Sequence, residues 1–223
     1  MFYKLSFLFF GRMREGEPVN RRNYQRELER VLERESAAGQ VPRLLLHACC
    51  APCSSYVLEY LSEYFQITVL YFNPNIYPPE EYETRLLELN RFVGEMRFSH
   101  PVSVMAGDYD PQRFFDGVRG LEQEKEGGAR CEVCFRMRLS ETARLAAEGR
   151  FDYFTTTLSI SPKKDAVLLN AIGEEEAARW GVAYLSSEFK KKGGFDRSLD
   201  LSEEHGLYRQ DYCGCVFSRR RAE

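Results

Sequence analysis

Two short runs, Leu44-Leu45-Leu46-His47 and Ile67-Thr68-Val69-Leu70-Tyr71-Phe72, are almost continuously apolar. A strand with one wet face alternates apolar and polar residues, whereas a strand covered on both faces does not. These runs therefore predict strands buried on both sides. Between them, Ser54–Tyr64 carries Val57, Leu58, Leu61 and Tyr64 at helical spacing, with Ser54 or Ser55 as its cap. A strand, a helix and a second fully buried strand form a βαβ unit, which requires helices on both faces of a parallel sheet.

The alternation continues along the chain. Tyr24 to Glu35 reads as a charged amphipathic helix, capped by Asn20 or Asn23. Pro78-Pro79-Glu80-Glu81 opens a helix reaching about Phe92, with proline and acids in the favoured first turn. Val102–Val104 is a weak strand, Pro111–Val118 and Cys131–Glu148 are helical, and Gly149 stops the latter. Phe151–Thr157 is rich in aromatic and β-branched residues and reads as a strand. Ser161-Pro162 opens a helix to about Trp180, Val182–Leu185 is a last strand, and after Ser186 the pattern breaks into a basic, glycine-containing tail. The expected organisation is a leader over residues 1–22, a single α/β domain over 23–218 and a basic tail over 219–223. The leader begins with the apolar run Met1–Phe10, which lacks a small-residue cleavage site and is too short to span a bilayer; Met13 is the other candidate start. A cytoplasmic protein without membrane association is expected.

All seven cysteines fall into three groups: Cys49, Cys50 and Cys53; Cys131 and Cys134; Cys213 and Cys215. At 223 residues the chain can bury a sizeable core without disulfide staples. Clustered thiols in a cytosolic protein point to metal ligation or catalysis rather than structural disulfides. Cys49–Cys53 follows the first strand, and ligands of such sheets bind beyond the carboxyl ends of the strands. Cys131 and Cys134 span one turn at a helix start, where the dipole favours thiolate. Cys213 and Cys215 share one face if extended, with Gly214 free to curl around an ion. An extended backbone would point the adjacent Cys49 and Cys50 to opposite sides, and Pro52 turns the chain. Thiols aimed differently suit two irons of one cluster or two neighbouring metal centres. A structural zinc site takes four ligands, and two such sites would need a further residue to join the seven thiols. Four thiolates serve a 4Fe–4S cluster and leave three for a second centre with an open position, which favours iron–sulfur over zinc.

Four stretches together, His47-Ala48-Cys49-Cys50-Ala51-Pro52-Cys53-Ser54, Tyr71–Pro78 (YFNPNIYP), Arg130–Leu139 (RCEVCFRMRL) and Thr155–Lys164 (TTTLSISPKK), resemble epoxyqueuosine reductase of the QueH type. The tail Tyr208–Cys215 (YRQDYCGC) fits the same pattern, so the resemblance runs from about Asn23 to Ser218. It implies a Rossmann-like fold related to the PP-loop/HUP-type fold. It further implies reduction of epoxyqueuosine to queuosine at the tRNA wobble position, the last step of queuosine biosynthesis, without cobalamin. A 4Fe–4S cluster and a mononuclear iron beside it are the implied cofactors. Mapped here, Cys49, Cys50, Cys131 and Cys134 would hold the cluster, and Cys53, Cys213 and Cys215 the adjacent iron. The implied partners are tRNA carrying epoxyqueuosine and a small electron-donor redox protein.

The reaction also needs protons. Asp108, Tyr109 and Asp110, on a loop before a helix, are candidate donors, although Asp110-Pro111 equally reads as a helix-start signal. His47 beside the cysteines reads as a packing or supporting residue. The formal charge of −3 gives no overall attraction to nucleic acid, so RNA contact falls to local groups such as Lys163, Lys164 and Arg209. Two rival readings are an ATP-dependent tRNA-modifying enzyme of PP-loop kind and a zinc-stapled binding module. The first needs a glycine-rich phosphate cradle after the first strand, where this chain has Cys-Cys-Ala-Pro-Cys. The second is disfavoured by the odd cysteine count at the sheet's carboxyl edge.

Overall fold

The structure, a computed structural model, describes residues 22–219. The expected leader, apart from Arg22, and the tail beyond Arg219 lie outside the described residues. Helix α1 (Tyr24–Ala38) leads into β1 (Arg43–His47), α2 (Ala51–Leu61), β2 (Gln66–Tyr71) and α3 (Pro79–Glu95). Then come β3 (Val102–Ala106), α4 (Pro111–Gly117), α5 (Ala129–Glu148), β4 (Tyr153–Thr156), α6 (Ala166–Trp180), β5 (Ala183–Tyr184) and α7 (Gly194–Glu204). All strand pairs are parallel, in the order β3-β2-β1-β4-β5. The α/β sheet covered on both faces is therefore present. Asn23 caps α1, its side chain accepting from the Arg26 amide at 3.0 Å.

β1 lies in the middle, which explains why Leu44, Leu45 and Leu46 are apolar without alternation. Leu44 and Leu46 face one layer with Val57, Leu58 and Leu61 of α2 and Leu89 and Phe92 of α3. Leu45 faces the other, with Phe135 and Leu139 of α5 and Leu169 and Ile172 of α6. Each of these leucines is completely buried, worth about 1.5–3 kcal/mol apiece against exposure. From β1 the chain first builds outward through β2 and β3, then returns to the opposite flank with β4 and β5. The crevice beyond the carboxyl ends of β1 and β4 is thus the topological switch point, where open α/β sheets bind ligands.

Three local expectations change. α2 begins at Ala51 with Cys50 as its cap, because Pro52 suits the first helical turn. Ser54 and Ser55 lie inside that helix and donate to the carbonyls of Cys50 and Pro52 at 2.7 and 3.0 Å. α6 begins at Ala166: the chain turns through a 3-10 segment over Thr157–Ile160, and the Asp165 carboxylate caps the amides of Val167 and Leu168. The stretch after Ser186 is not wholly irregular, since α7 packs on α2. Its buried face is Ser198, Leu201 and Ser202, with both serine hydroxyls turned back onto helix carbonyls, so polarity conceals the stripe. Gly194 is required at its start because a Cβ there would collide with the Phe189 carbonyl and the Tyr56 ring.

Candidate metal centre

The loop after β1 is anchored before its thiols begin. The Ala48 amide donates to Leu70 O, and the Asn73 side-chain amide donates to Ala48 O at 2.8 Å. The chain bends at Cys49 and enters α2, so the sulfurs of Cys49 and Cys50 converge at 3.7 Å instead of pointing apart. The Sγ atoms of Cys49, Cys50 and Cys53 all lie within 4.8 Å of one another. Sulfurs gathered this closely, with every cysteine free, are a donor set suited to a soft metal. Within this trio Cys50 is the most acidic, its pKa lowered by hydrogen bonds from Cys49 and Cys53. The same contact with Cys50 pushes the Cys49 thiol up to about 11.

α5 supplies the second group. Cys131 lies in its first turn, and the Gly127 amide donates to its sulfur at 3.2 Å. Buried Arg130 ties down the preceding loop through Leu121 O and Glu122 O at 3.1 and 3.0 Å. Cys134 is buried one turn later, and desolvation raises its pKa.

The third group arrives on the C-terminal segment. Tyr77 N donates to Gly214 O, and Arg85 of α3 reaches Tyr212 O. Gly214 has φ 97°, and a Cβ would lie 2.7 Å from Ile76 Cγ1 and 3.1 Å from Arg85 Nη1, so glycine is required. Cys213 is the more acidic of its pair, favoured by a hydrogen bond from Cys215 and, after the cost of burial, by the Lys164 charge. Packing brings the groups together across the sequence: Cys49, Cys50 and Cys131 share one cluster with Cys53 against it. Cys134 and Cys215 share another with Cys213.

A cavity of about 490 Å³ opens over these thiols, lined by Cys49, Cys50, Cys53 and Cys213 together with Arg85, Arg138 and Lys164. Lys163 and Arg209 line it too, so the three basic residues singled out in the sequence meet at one place. Lys164 is turned inward, 9% exposed, with Nζ 2.9 Å from Glu126. Asp108 and Asp110 are not among the lining residues. The Asp110 carboxylate accepts the amides of Gln112 and Arg113 as the cap of α4. His47 is wholly buried and held neutral: Nε2 donates to Phe72 O at 3.2 Å, and Nδ1 accepts the Thr156 hydroxyl at 2.9 Å. Burial, then the charge of Arg138, drives its pKa down to about 3. Both ring nitrogens are occupied, so His47 supports the loop without being a ligand.

Thiols brought to a sheet's switch point on three separate elements match one family of known proteins. The family model for epoxyqueuosine reductase QueH matches residues 44–221. This chain belongs to the QueH family. It is 41% identical to an epoxyqueuosine reductase QueH of Streptococcus pyogenes over 210 residues, covering 93% of this chain and 81% of that one. Identity to the Staphylococcus epidermidis QueH is 40% over 200 residues, covering 88% and 84%. The Thermotoga maritima QueH is 34% identical over 181 residues, covering 78% and 89%. The matched region holds every cysteine and every cavity-lining residue.

Sequence reasoning missed Arg85 and Arg138. Both are buried cations facing the thiols, 1% and 3% exposed. Arg138 carried a signal, since Cys131, Cys134 and Arg138 at i, i+3 and i+7 share one helix face. Arg85 carried none, because it reaches the site only through the fold of the C-terminal segment. Among the described residues no helix is long and apolar enough to cross a membrane.

Proposed function

We propose that this chain reduces epoxyqueuosine to queuosine at the wobble position of tRNA, as an oxidoreductase at the last step of queuosine biosynthesis. The observation carrying this reading is a cavity in a QueH-family chain lined by Cys49, Cys50, Cys53 and Cys213, with Cys131 and Cys134 packed against those same groups. Removing the epoxide oxygen consumes two electrons and two protons and releases water. A 4Fe–4S cluster on Cys49, Cys50, Cys131 and Cys134, with an iron on Cys53, Cys213 and Cys215, would relay single electrons and polarise the epoxide oxygen. Packing favours a second division, with Cys53 joining Cys49, Cys50 and Cys131, and Cys134 joining Cys213 and Cys215. Comparing the spectra of Cys53→Ser and Cys134→Ser separates the two, because only the cluster ligand's loss disturbs the cluster signal.

The chain's own residues do the rest. Leu158, Ile160 and Phe195 give the cavity apolar walls that exclude water, while exposed Lys163 and Arg209 attract tRNA phosphates at its mouth. Of the carboxyl groups lining the cavity, Glu126 is bound to Lys164. Asp211 has no ion-pair partner among the described residues, and we assign it the proton-carrying role. A small redox protein supplies electrons, and a tRNA substrate puts the enzyme in the cytoplasm. The test is anaerobic reconstitution with iron and sulfide, then nucleoside analysis of epoxyqueuosine-containing tRNA treated with the reduced protein. Queuosine is expected. Full metal uptake without conversion would overturn the functional reading.

A further inference from the structure

Three buried cations line the thiol cavity, Arg85, Lys164 and Arg138, while buried Arg130 lies outside its lining and donates to the carbonyls of Leu121 and Glu122. Two are neutralised locally. Arg85 pairs with Glu81 at 2.7 Å and Lys164 with Glu126 at 2.9 Å. Arg138 has no carboxylate within ion-pair distance among the described residues. Its Nε donates to the Cys134 carbonyl at 3.3 Å, and its guanidinium faces the Phe135 ring at 5.7 Å. A buried guanidinium without a counter-ion carries a desolvation penalty, which nearby negative charge offsets. The groups placed to supply that negative charge are the sulfurs: Arg138 lines the same cavity as Cys49, Cys50, Cys53 and Cys213 and lies one helical turn after Cys134.

We propose that Arg138 is the dedicated counter-ion of the thiolate set, a positioning residue that sets metal retention and the reduction potential of the centre. This rests on the reading that the cysteines hold an iron–sulfur centre. Clustered thiolates repel one another, and a fixed buried cation among them lowers the cost of holding all of them ionised together. Each electron added to the centre raises its negative charge, so a cation at this position stabilises the reduced state and raises the potential. Lys164 and Arg85 supply less, because Glu126 and Glu81 cancel part of their charge. The placement follows from the helix: Arg138 lies four residues after Cys134, so one face of α5 carries two thiols and their counter-charge.

The test uses full-length Arg138→Gln and Arg138→Lys, reconstituted anaerobically beside the unmodified chain. Iron and sulfide content and the midpoint potential from a dithionite titration are the readouts. Arg138→Gln is expected to hold less iron per chain and to titrate at a more negative potential, while Arg138→Lys, keeping the charge, stays near the unmodified protein in both. If Arg138→Gln does not fold, Arg138→Lys decides alone: near-native potential and iron content support the role. A folded Arg138→Lys with both lost overturns it. Equal potentials and equal iron content in folded Arg138→Gln and the unmodified chain also overturn it. Failure of the unmodified chain to take up iron overturns the metal reading as well.

Discussion

Two walls carry the seven thiols, and they are held by different means. The first, with Cys49, Cys50, Cys53, Cys131 and Cys134, stands on β1, α2 and α5. These elements are fixed by completely buried residues such as Leu45, Val57 and Leu139. The second, with Cys213 and Cys215, is a segment of little regular structure that buries fewer apolar side chains, Leu207 and Cys215 with Phe217 beside them, and is docked on α3 largely by polar contacts. Tyr208 N donates to Glu88 at 2.7 Å, Tyr208 Oη donates to Glu81 at 2.9 Å, and Arg91 donates to His205 O at 3.1 Å. Apolar burial contributes a few kcal/mol per side chain, while each hydrogen bond nets about 0.5–1.5 kcal/mol. The first wall is therefore preorganised with the fold. The second, with less apolar burial, is the easier of the two to loosen, and bound metal would strengthen a junction already made by the packing of Cys134 against Cys215.

The largest effect that sharpens this contrast comes from Cys50→Ser. It removes the thiol at the centre of the first trio, and conversion of epoxyqueuosine-containing tRNA should fall below detection while the apo-protein melts near the unmodified temperature. Leu45→Ala attacks the scaffold instead: about 2–5 kcal/mol of stability should be lost, read by denaturant unfolding of the apo-protein. Glu88→Gln attacks the docked segment. It weakens a charge-assisted bond to Tyr208, so iron should be lost faster to a chelator, with a stability change of about 1–2 kcal/mol or less. A large fall in stability with unchanged iron release would break the contrast.

The same carboxylate gives a pH dependence of definite sign. Hydrogen bonding from Arg91 lowers the Glu88 pKa, helped by the Tyr208 amide despite burial. A carboxylate depressed in the folded state contributes stability above its unfolded value, and that contribution is lost as pH falls through the folded one. The difference in melting temperature between the unmodified apo-protein and Glu88→Gln should therefore shrink as pH drops below about 4. Tyr208→Phe, which removes only the hydroxyl bond to Glu81, should have the smallest effect, under about 1 kcal/mol by the same unfolding measurement.

The two walls were also unequally legible in the sequence. β1 announced itself because burial on both faces makes Leu44, Leu45 and Leu46 consecutive apolar positions, and the alternation of strand and helix followed. Cysteine clustering drew attention to the site for an equally local reason. The direction of Cys50 was not legible, because it depends on α2 beginning at Ala51, one residue beyond an extended cap. α7 was hidden by serines on its buried face. Arg85 could not be read at all, since its meeting with Gly214 joins residues far apart in sequence. Asp110 could be read either way, and the structure has it capping α4 outside the cavity lining.

The central claim is that both walls serve one composite metal centre. Its most direct test is the iron and acid-labile sulfide content of the full chain after anaerobic reconstitution, measured beside a Cys213→Ser/Cys215→Ser double variant. The account predicts about five irons for every four sulfides in the unmodified chain, falling to about four and four in the variant. Equal iron in both proteins, or colourless protein containing zinc alone, would contradict it.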